Sequence, residues 1–277
     1  MLAAVIALGA SLSWGCGDFL GGLKARTLPA LAVMACSQPF GLAALAVAVA
    51  VRRDAFPGPH TLWAIPAAAL GTVGLAAFYR GLATGAMAVA APIAGAGAII
   101  PVVVGLATGD KPRVLQELGF VLAIGGVVVT SREPGAERAK LAAGAAWGFV
   151  ALLCFGGYYV PMRSASHGDF LWASLVFRLT SVPLVWATLG ALRRPLPHGL
   201  RPQLPSLALV GLCDTAGNVL FAAATTQGLL SVVAVLASLY PVVTVLLARF
   251  TLHERTAPSQ QLGVAVTIAG VVLISAG

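Results

Sequence analysis

Residues 110–131 and 254–275 are two copies of one segment, 144 positions apart in a chain of 277 residues. Aligned without gaps they share Gln116/Gln260, Leu118/Leu262, Gly119/Gly263, Ile124/Ile268, Gly126/Gly270, Val127/Val271, Val128/Val272 and Ser131/Ser275. Asp110/Glu254 and Lys111/Arg255 keep the sign of charge. A chain duplicated in this way folds as two related halves, and any central site is one that the halves share.

The solvent of those halves follows from the charges. Only 9% of residues are charged and 59% are hydrophobic, whereas soluble domains carry about 25% charged residues. The charges also come in short clusters: Lys24/Arg26, Arg52/Arg53/Asp54, Asp110/Lys111/Arg113, Arg132–Lys140, Arg193/Arg194/Arg201 and His253–Arg255. Between them lie apolar runs of about 20 residues, enough to cross about 30 Å of hydrocarbon as helix. The net charge of +8 would point to nucleic acid only if the cations shared one water-facing surface. Here they punctuate membrane spans, where Lys and Arg meet lipid headgroups, so the bilayer is the expected partner and nucleic acid is not. Cys16, Cys36, Cys154 and Cys213 fall inside spans without a CxxC pair, so neither a disulfide framework nor a metal site is expected. Their role is that of small packing residues. The apolar run from Leu2 continues past Trp14 to Leu20 without a basic leader, which reads as a retained first span.

The expected spans are 2–20, 29–51, 61–82, 86–108, 114–131, 141–161, 170–192, 205–227, 230–252 and 259–277. The fold class is therefore an all-α integral membrane protein of ten transmembrane helices. The first repeat covers 1–131, a connecting loop 132–140 and the second repeat 141–277. Five spans is an odd number, so the second half enters the membrane from the opposite side and the repeat is inverted. Two inverted copies can trade conformations and expose a central site to one side and then the other. Pro29 and Pro205 sit where a first-turn proline leaves no donor unsatisfied. Gly85 and Gly228 both close a third span, and Gly15 and Gly156/Gly157 sit at equivalent depths in a first span. Gly17 and Gly21 form a GxxxG pair, read as close packing inside the bundle.

These residues resemble the drug/metabolite transporter superfamily, in particular its EamA-type ten-helix permeases. The resemblance rests on a run present in each half. In the first it is Gly85, Val89–Gly109, Asp110, Gln116, Gly119 and Gly126–Val128. In the second it is Gly228, Leu239-Tyr240-Pro241, Glu254, Gln260, Gly263 and Gly270–Val272. Trp14-Gly15 and Phe19 look like the family's opening helix. The first copy has Asp110 where the family usually has Glu and lacks a proline matching Pro241. Arg178 falls where the family often places an arginine in the second helix of a half, and the first half offers Gln38 near that place.

An ionised side chain at mid-bilayer costs about 2.5–3.5 kcal/mol on insertion scales, so each needs a partner or a wet cavity. Asp214 lies near the centre of span eight with Asn218 one turn on. It is either a cavity-facing acid that binds an amine or carries a proton, or a partner for a neighbouring cation. Arg178 is that cation: its level along the antiparallel spans differs from that of Asp214 by about 8 Å, within reach as a structural ion pair. Asp18, one turn from Trp14, either faces the cavity or reaches the interface. Arg80 is expected to snorkel to headgroups. Tyr158 and Tyr159, with Trp14 and Tyr240, line an aromatic pocket or belong to interface belts. Pro92, Pro101, Pro183 and Pro241 interrupt helical hydrogen bonding, as hinges or free carbonyls or as ordinary kinks.

No GxxxxGK[ST] provides for ATP and no HExxH or paired carboxylates provide for hydrolysis, so no enzymatic activity and no cofactor are expected. The expectation is a secondary transporter that exports a small organic metabolite by alternating access. Its substrate-binding residues are Trp14, Asp18, Tyr158, Asp214, Asn218 and Tyr240, and its proton-coupling residues Asp214 and Asp18. The resemblance implies amino acids or related amphipathic metabolites as substrates. The cavity is expected between spans 1, 3, 4, 6, 8 and 9, with spans 5 and 10 as braces and a monomer as the working unit. The rival readings are a membrane enzyme acting on lipid-linked substrates, which would need the scattered His60, His167, His198 and His253 to cluster, and a passive channel. With both ends cytoplasmic, the inside loops carry about five Lys/Arg and the outside loops about eleven, which by the positive-inside rule favours both ends outside. The resemblance implies both termini in the cytoplasm of an inner-membrane protein, and the expectation follows it.

Overall fold

The computed structural model describes residues 1–83, 93–130, 138–197, 199–252 and 258–276. Gly85, Pro92, His198, His253, Glu254, Arg255 and residues 131–137 lie outside the described residues. The helices are α1 (Leu2–Ala25), α2 (Ala30–Arg52), α3 (Ala64–Ala83), α4 (Ile99–Ala107), α5 (Val114–Thr130) and α6 (Arg138–Ser166). They continue with α7 (Phe170–Ala191), α8 (Leu204–Thr225), α9 (Leu230–Ala237), α10 (Tyr240–Leu252) and α11 (Pro258–Ala276). Short 3-10 turns lead into α3, α4 and α8, and no strand occurs among the described residues. Since α9 and α10 are two pieces of one span, the chain makes the ten crossings expected.

Leu2–Ala25, Ala30–Arg52, Pro59–Gly81, Phe170–Ala191 and Arg201–Thr225 are each long and apolar enough to cross a bilayer, with shorter apolar helices between them. Their outer faces are as apolar as their inner ones. Val103, Leu118, Val121, Phe149, Leu262, Ile268 and Val272 all project outward, where lipid rather than water is the matching solvent. Helices are the form such segments take, because every backbone donor and acceptor is satisfied inside the segment.

The duplicated segment becomes α5 and α11, which pack along each other. A methyl group on Gly119 would stand 2.8 Å from the Gly270 carbonyl oxygen, and one on Gly126 would stand 2.8 Å from that of Gly263. Exchange of the halves carries 119 to 263 and 270 to 126, so each of these contacts maps onto the other. An axis normal to the bilayer would pair Gly119 with Gly263 along parallel helices. The observed pairing is antiparallel, which puts the pseudo-two-fold axis in the membrane plane.

The rest of the bundle obeys the same exchange. α1 packs on α8 as α6 packs on α3, and α2 packs on α8 as α7 packs on α3. Gly15 lets α1 approach the backbone at Tyr240, and Gly156 lets α6 approach it at Gly97. Gly217 makes room for Trp14 as Gly74 makes room for Phe155. The arginines that end α2 and α7, Arg53 and Arg193, both adopt positive φ (57° and 48°). Gly17 rests on α8 and Gly21 on Tyr79, so the GxxxG pair serves packing within the bundle.

Three details differ from the sequence reading. The ninth span is not continuous: α9 stops at Ala237 and α10 starts at Tyr240. Pro241 has no N–H to give the Ala237 carbonyl, and the helix breaks there. The fourth span tightens into a 3-10 turn at Ala96–Ala98, near the equivalent level, and continues as helix from Ile99. α6 begins at Arg138 and therefore takes up part of the stretch read as a connecting loop.

At the face from which α1 starts, polar ties join the two halves. Arg52 donates to Asp169 at 2.8 Å, and Asp169 also caps α7 by accepting from Leu171 and Trp172. Asp110, at the end of the fourth span, accepts from both the backbone N–H and the hydroxyl of Ser231 at 2.9 Å. It thereby caps α9 in the other half. Arg163 of α6 lies 3.7 Å from its second oxygen. The acidic residue that recurs in the repeat thus has a physical role in its first copy.

Candidate functional site

Among the helices lies a partly open cavity, with about 540 Å³ of space that includes the solvent at its mouth. Trp14 and Asp18 reach it from α1, Gln38 from α2, and Gly71, Thr72 and Leu75 from α3. The second half supplies Phe155, Tyr158 and Tyr159 from α6, Phe177 and Arg178 from α7, Asp214 and Asn218 from α8, and Tyr240 from α10. All six residues named from the sequence as substrate-binding therefore share one cavity, and Arg178 joins them. Two differences from the expected arrangement concern helices. α2 and α7, left out of the expected lining, contribute, and among the described residues the fourth span does not. α5 and α11 stay outside, as braces would.

The chemistry of the cavity is set by three charged side chains. Arg178, 1% exposed, donates to Asp214, whose side chain keeps 20% exposure. Asp214 and Asn218 are one turn apart on α8, so they present a common face. The Asn218 amide donates to the Asp214 backbone carbonyl at 2.8 Å and accepts from the Tyr158 hydroxyl at 2.6 Å. That amide therefore ties α6 to α8 and fixes the tilt of the Tyr158 ring. Asp18 is half-buried and turned to the cavity rather than the interface. Among the described residues no group donates to its carboxylate.

Aromatic side chains form the wall around these charges. The Trp14 ring meets Tyr158 at 6.2 Å, Tyr159 at 6.3 Å and Tyr240 at 6.5 Å, each edge-to-face. Phe155 closes on Tyr240 from the opposite side at 6.4 Å. These rings are not an interface belt. Several polar atoms of the wall are buried with no partner: Gln38 Oε1, Thr72 Oγ1, Arg178 Nε and the Tyr240 hydroxyl. Buried donors and acceptors left unpaired are costly. Arg80 behaves as expected for an outer cation, exposed and stacked 4.9 Å over the Trp147 ring.

A sequence profile of the EamA-like transporter family matches residues 1–132 and again residues 142–276. The chain belongs to the EamA-like transporter family. It is accordingly a multi-pass membrane transporter of small molecules. A solved crystal structure superposes on it with a TM-score of 0.82 over 99% of this chain and 98% of that one, at 16% identity. At that identity the likeness shows the fold alone. A comparison with curated protein sequences finds no match.

Several lining residues of this EamA-like chain carry no charge and were not singled out from the sequence. The repeat relates most of them to residues that were, once the structure sets the offset helix by helix. The contacts of Gly15 and Gly156 place α1 and α6 141 positions apart, and those of Gly74 and Gly217 place α3 and α8 143 apart. Applied to the residues that sequence did single out, these offsets lead from Trp14 to Phe155, from Asp18 to Tyr159, from Asp214 to Gly71 and from Asn218 to Leu75. All four targets line the cavity. The 140-residue offset of Arg53 and Arg193 likewise relates Arg178 to Gln38. The cavity thus keeps the two-fold in shape but not in charge.

Proposed function

We propose that the chain is a secondary carrier that moves a small amphipathic metabolite out across the inner membrane by alternating access. The observation that carries the reading is the cavity on the pseudo-two-fold, lined by both inverted halves and holding buried charge. A rocking of one half against the other would open it to either side in turn. The resemblance favours amino acids or related amphipathic metabolites, and the aromatic wall suits the apolar part of such molecules. Trp14, Asp18, Tyr158, Asp214, Asn218 and Tyr240 bind the substrate. Proton exchange energises the step, with Asp18 the stronger candidate because Asp214 is engaged by Arg178. One chain completes the cavity, so the working unit is a monomer, with both termini in the cytoplasm.

Flux of a metabolite panel in proteoliposomes tests the reading. A carrier gives saturable flux with trans-stimulation for at least one amphipathic solute, and linear flux without trans-stimulation would overturn it. An Asp18→Asn/Asp214→Asn variant whose flux still follows an imposed pH gradient would remove the proton-coupling part.

A further inference from the structure

The charge of the cavity limits its guest more sharply than its size does. Arg178 and Asp214 cancel each other through their ion pair. Asp18 remains, with no hydrogen bond or ion pair among the described residues, so the walls carry a net charge of −1 whenever its carboxylate is ionised. A carboxylate buried in a membrane protein is neutralised by a proton or by a counter-charge, and a cationic guest that displaces the proton supplies the second. We propose that the cavity takes an organic cation of net charge +1, an amine on an apolar or aromatic body, with the Asp18 carboxylate as its counter-charge; this rests on the carrier reading.

The wall beside Asp18 suits such a guest. Trp14 lies one turn away on the same face of α1. Tyr158, Tyr159 and Tyr240 meet its ring edge-to-face. Indole and phenol faces attract a desolvated ammonium through the ring quadrupole. Across the cavity Leu75 and Phe155 offer apolar surface to the body of the molecule. A zwitterion would leave the charge of Asp18 uncompensated, and its carboxylate would compete with Asp214 for Arg178. An anion would double the imbalance.

Three probes with one ring and different charge separate these cases: phenethylamine, phenylalanine and phenylacetate, titrated calorimetrically into the purified protein in nanodiscs near neutral pH. Phenethylamine should bind about 30-fold more tightly than either of the others. Asp18→Asn should reduce that preference to about threefold or less, whereas Asp18→Glu and the outward-facing Glu117→Gln should keep it. Size-exclusion elution and helical circular dichroism report whether each variant is folded, and Asp18→Glu alone carries the comparison if Asp18→Asn is not. Equal or tighter binding of phenylalanine, or a preference untouched by Asp18→Asn, would overturn the proposal. Binding of none of the three would overturn it as well. Saturable flux of another metabolite in the panel would leave the carrier reading standing in that case.

Discussion

The Arg178–Asp214 pair makes a quantitative prediction, because its two members are buried to different degrees. Arg178 is 1% exposed, whereas the Asp214 side chain keeps 20% exposure toward the cavity. Asp214→Leu strands a sealed guanidinium that no water can reach. Breaking a buried pair in that way costs about 3–5 kcal/mol. Arg178→Met leaves a carboxylate that the cavity can hydrate in part, so its cost is that of a partly desolvated acceptor, about 1–3 kcal/mol. The double variant strands neither charge and should recover part of the summed loss, with a coupling of about 2–3 kcal/mol of opposite sign to the single costs. Unfolding titrations in mixed micelles, followed by tryptophan fluorescence, measure all three. The reasoning fails if Asp214→Leu costs less than about 1 kcal/mol, if Arg178→Met costs more than Asp214→Leu, or if the single costs simply add.

Other residues give further predictions. Gly126→Val drives a side chain into Thr267 and the Gly263 carbonyl and should cost about 1–3 kcal/mol or more. Its neighbour Gly125 has nothing within 4 Å, so Gly125→Val should stay within about 0.5 kcal/mol; equal costs in unfolding titrations would contradict the α5–α11 seam. Asp110→Ala removes the cap on α9 and should cost about 1–2 kcal/mol, with faster hydrogen exchange at Ser231; unchanged exchange there would refute the cap. Tyr158→Phe loses the 2.6 Å bond to Asn218 and should cost about 1 kcal/mol, read in the same titrations; a neutral result would mean that Asn218 does not hold the ring.

Most of the fold was legible because membrane insertion penalises charge. Lys24, Arg52, Lys111 and Arg193 could sit only between spans, and the duplicated glycines of α5 and α11 marked the helices that cross at the two-fold. The same penalty made Asp18, Arg178 and Asp214 conspicuous, and all three line the cavity. Gln38, Thr72 and Phe177 went unremarked as lining residues because neutral side chains in a span carry no comparable signal. The ninth-span break at Ser238–Leu239 was foreshadowed by Pro241, but proline alone does not say whether a helix kinks or stops. Asp110 was visible as a repeated acid. Its partner Ser231 is 121 residues away, and no local pattern pairs them.

The central claim is that one cavity between inverted halves opens to both sides of the membrane. Leu75→Cys, with Cys16, Cys36, Cys154 and Cys213 replaced by Ser, places a single thiol in its wall. Right-side-out and inside-out vesicles are then treated with a membrane-impermeant maleimide, with and without a transported solute. Alternating access gives labelling from both sides, slowed from both by the solute. Labelling from one side only, unaffected by the solute, would contradict a shared, alternately exposed site.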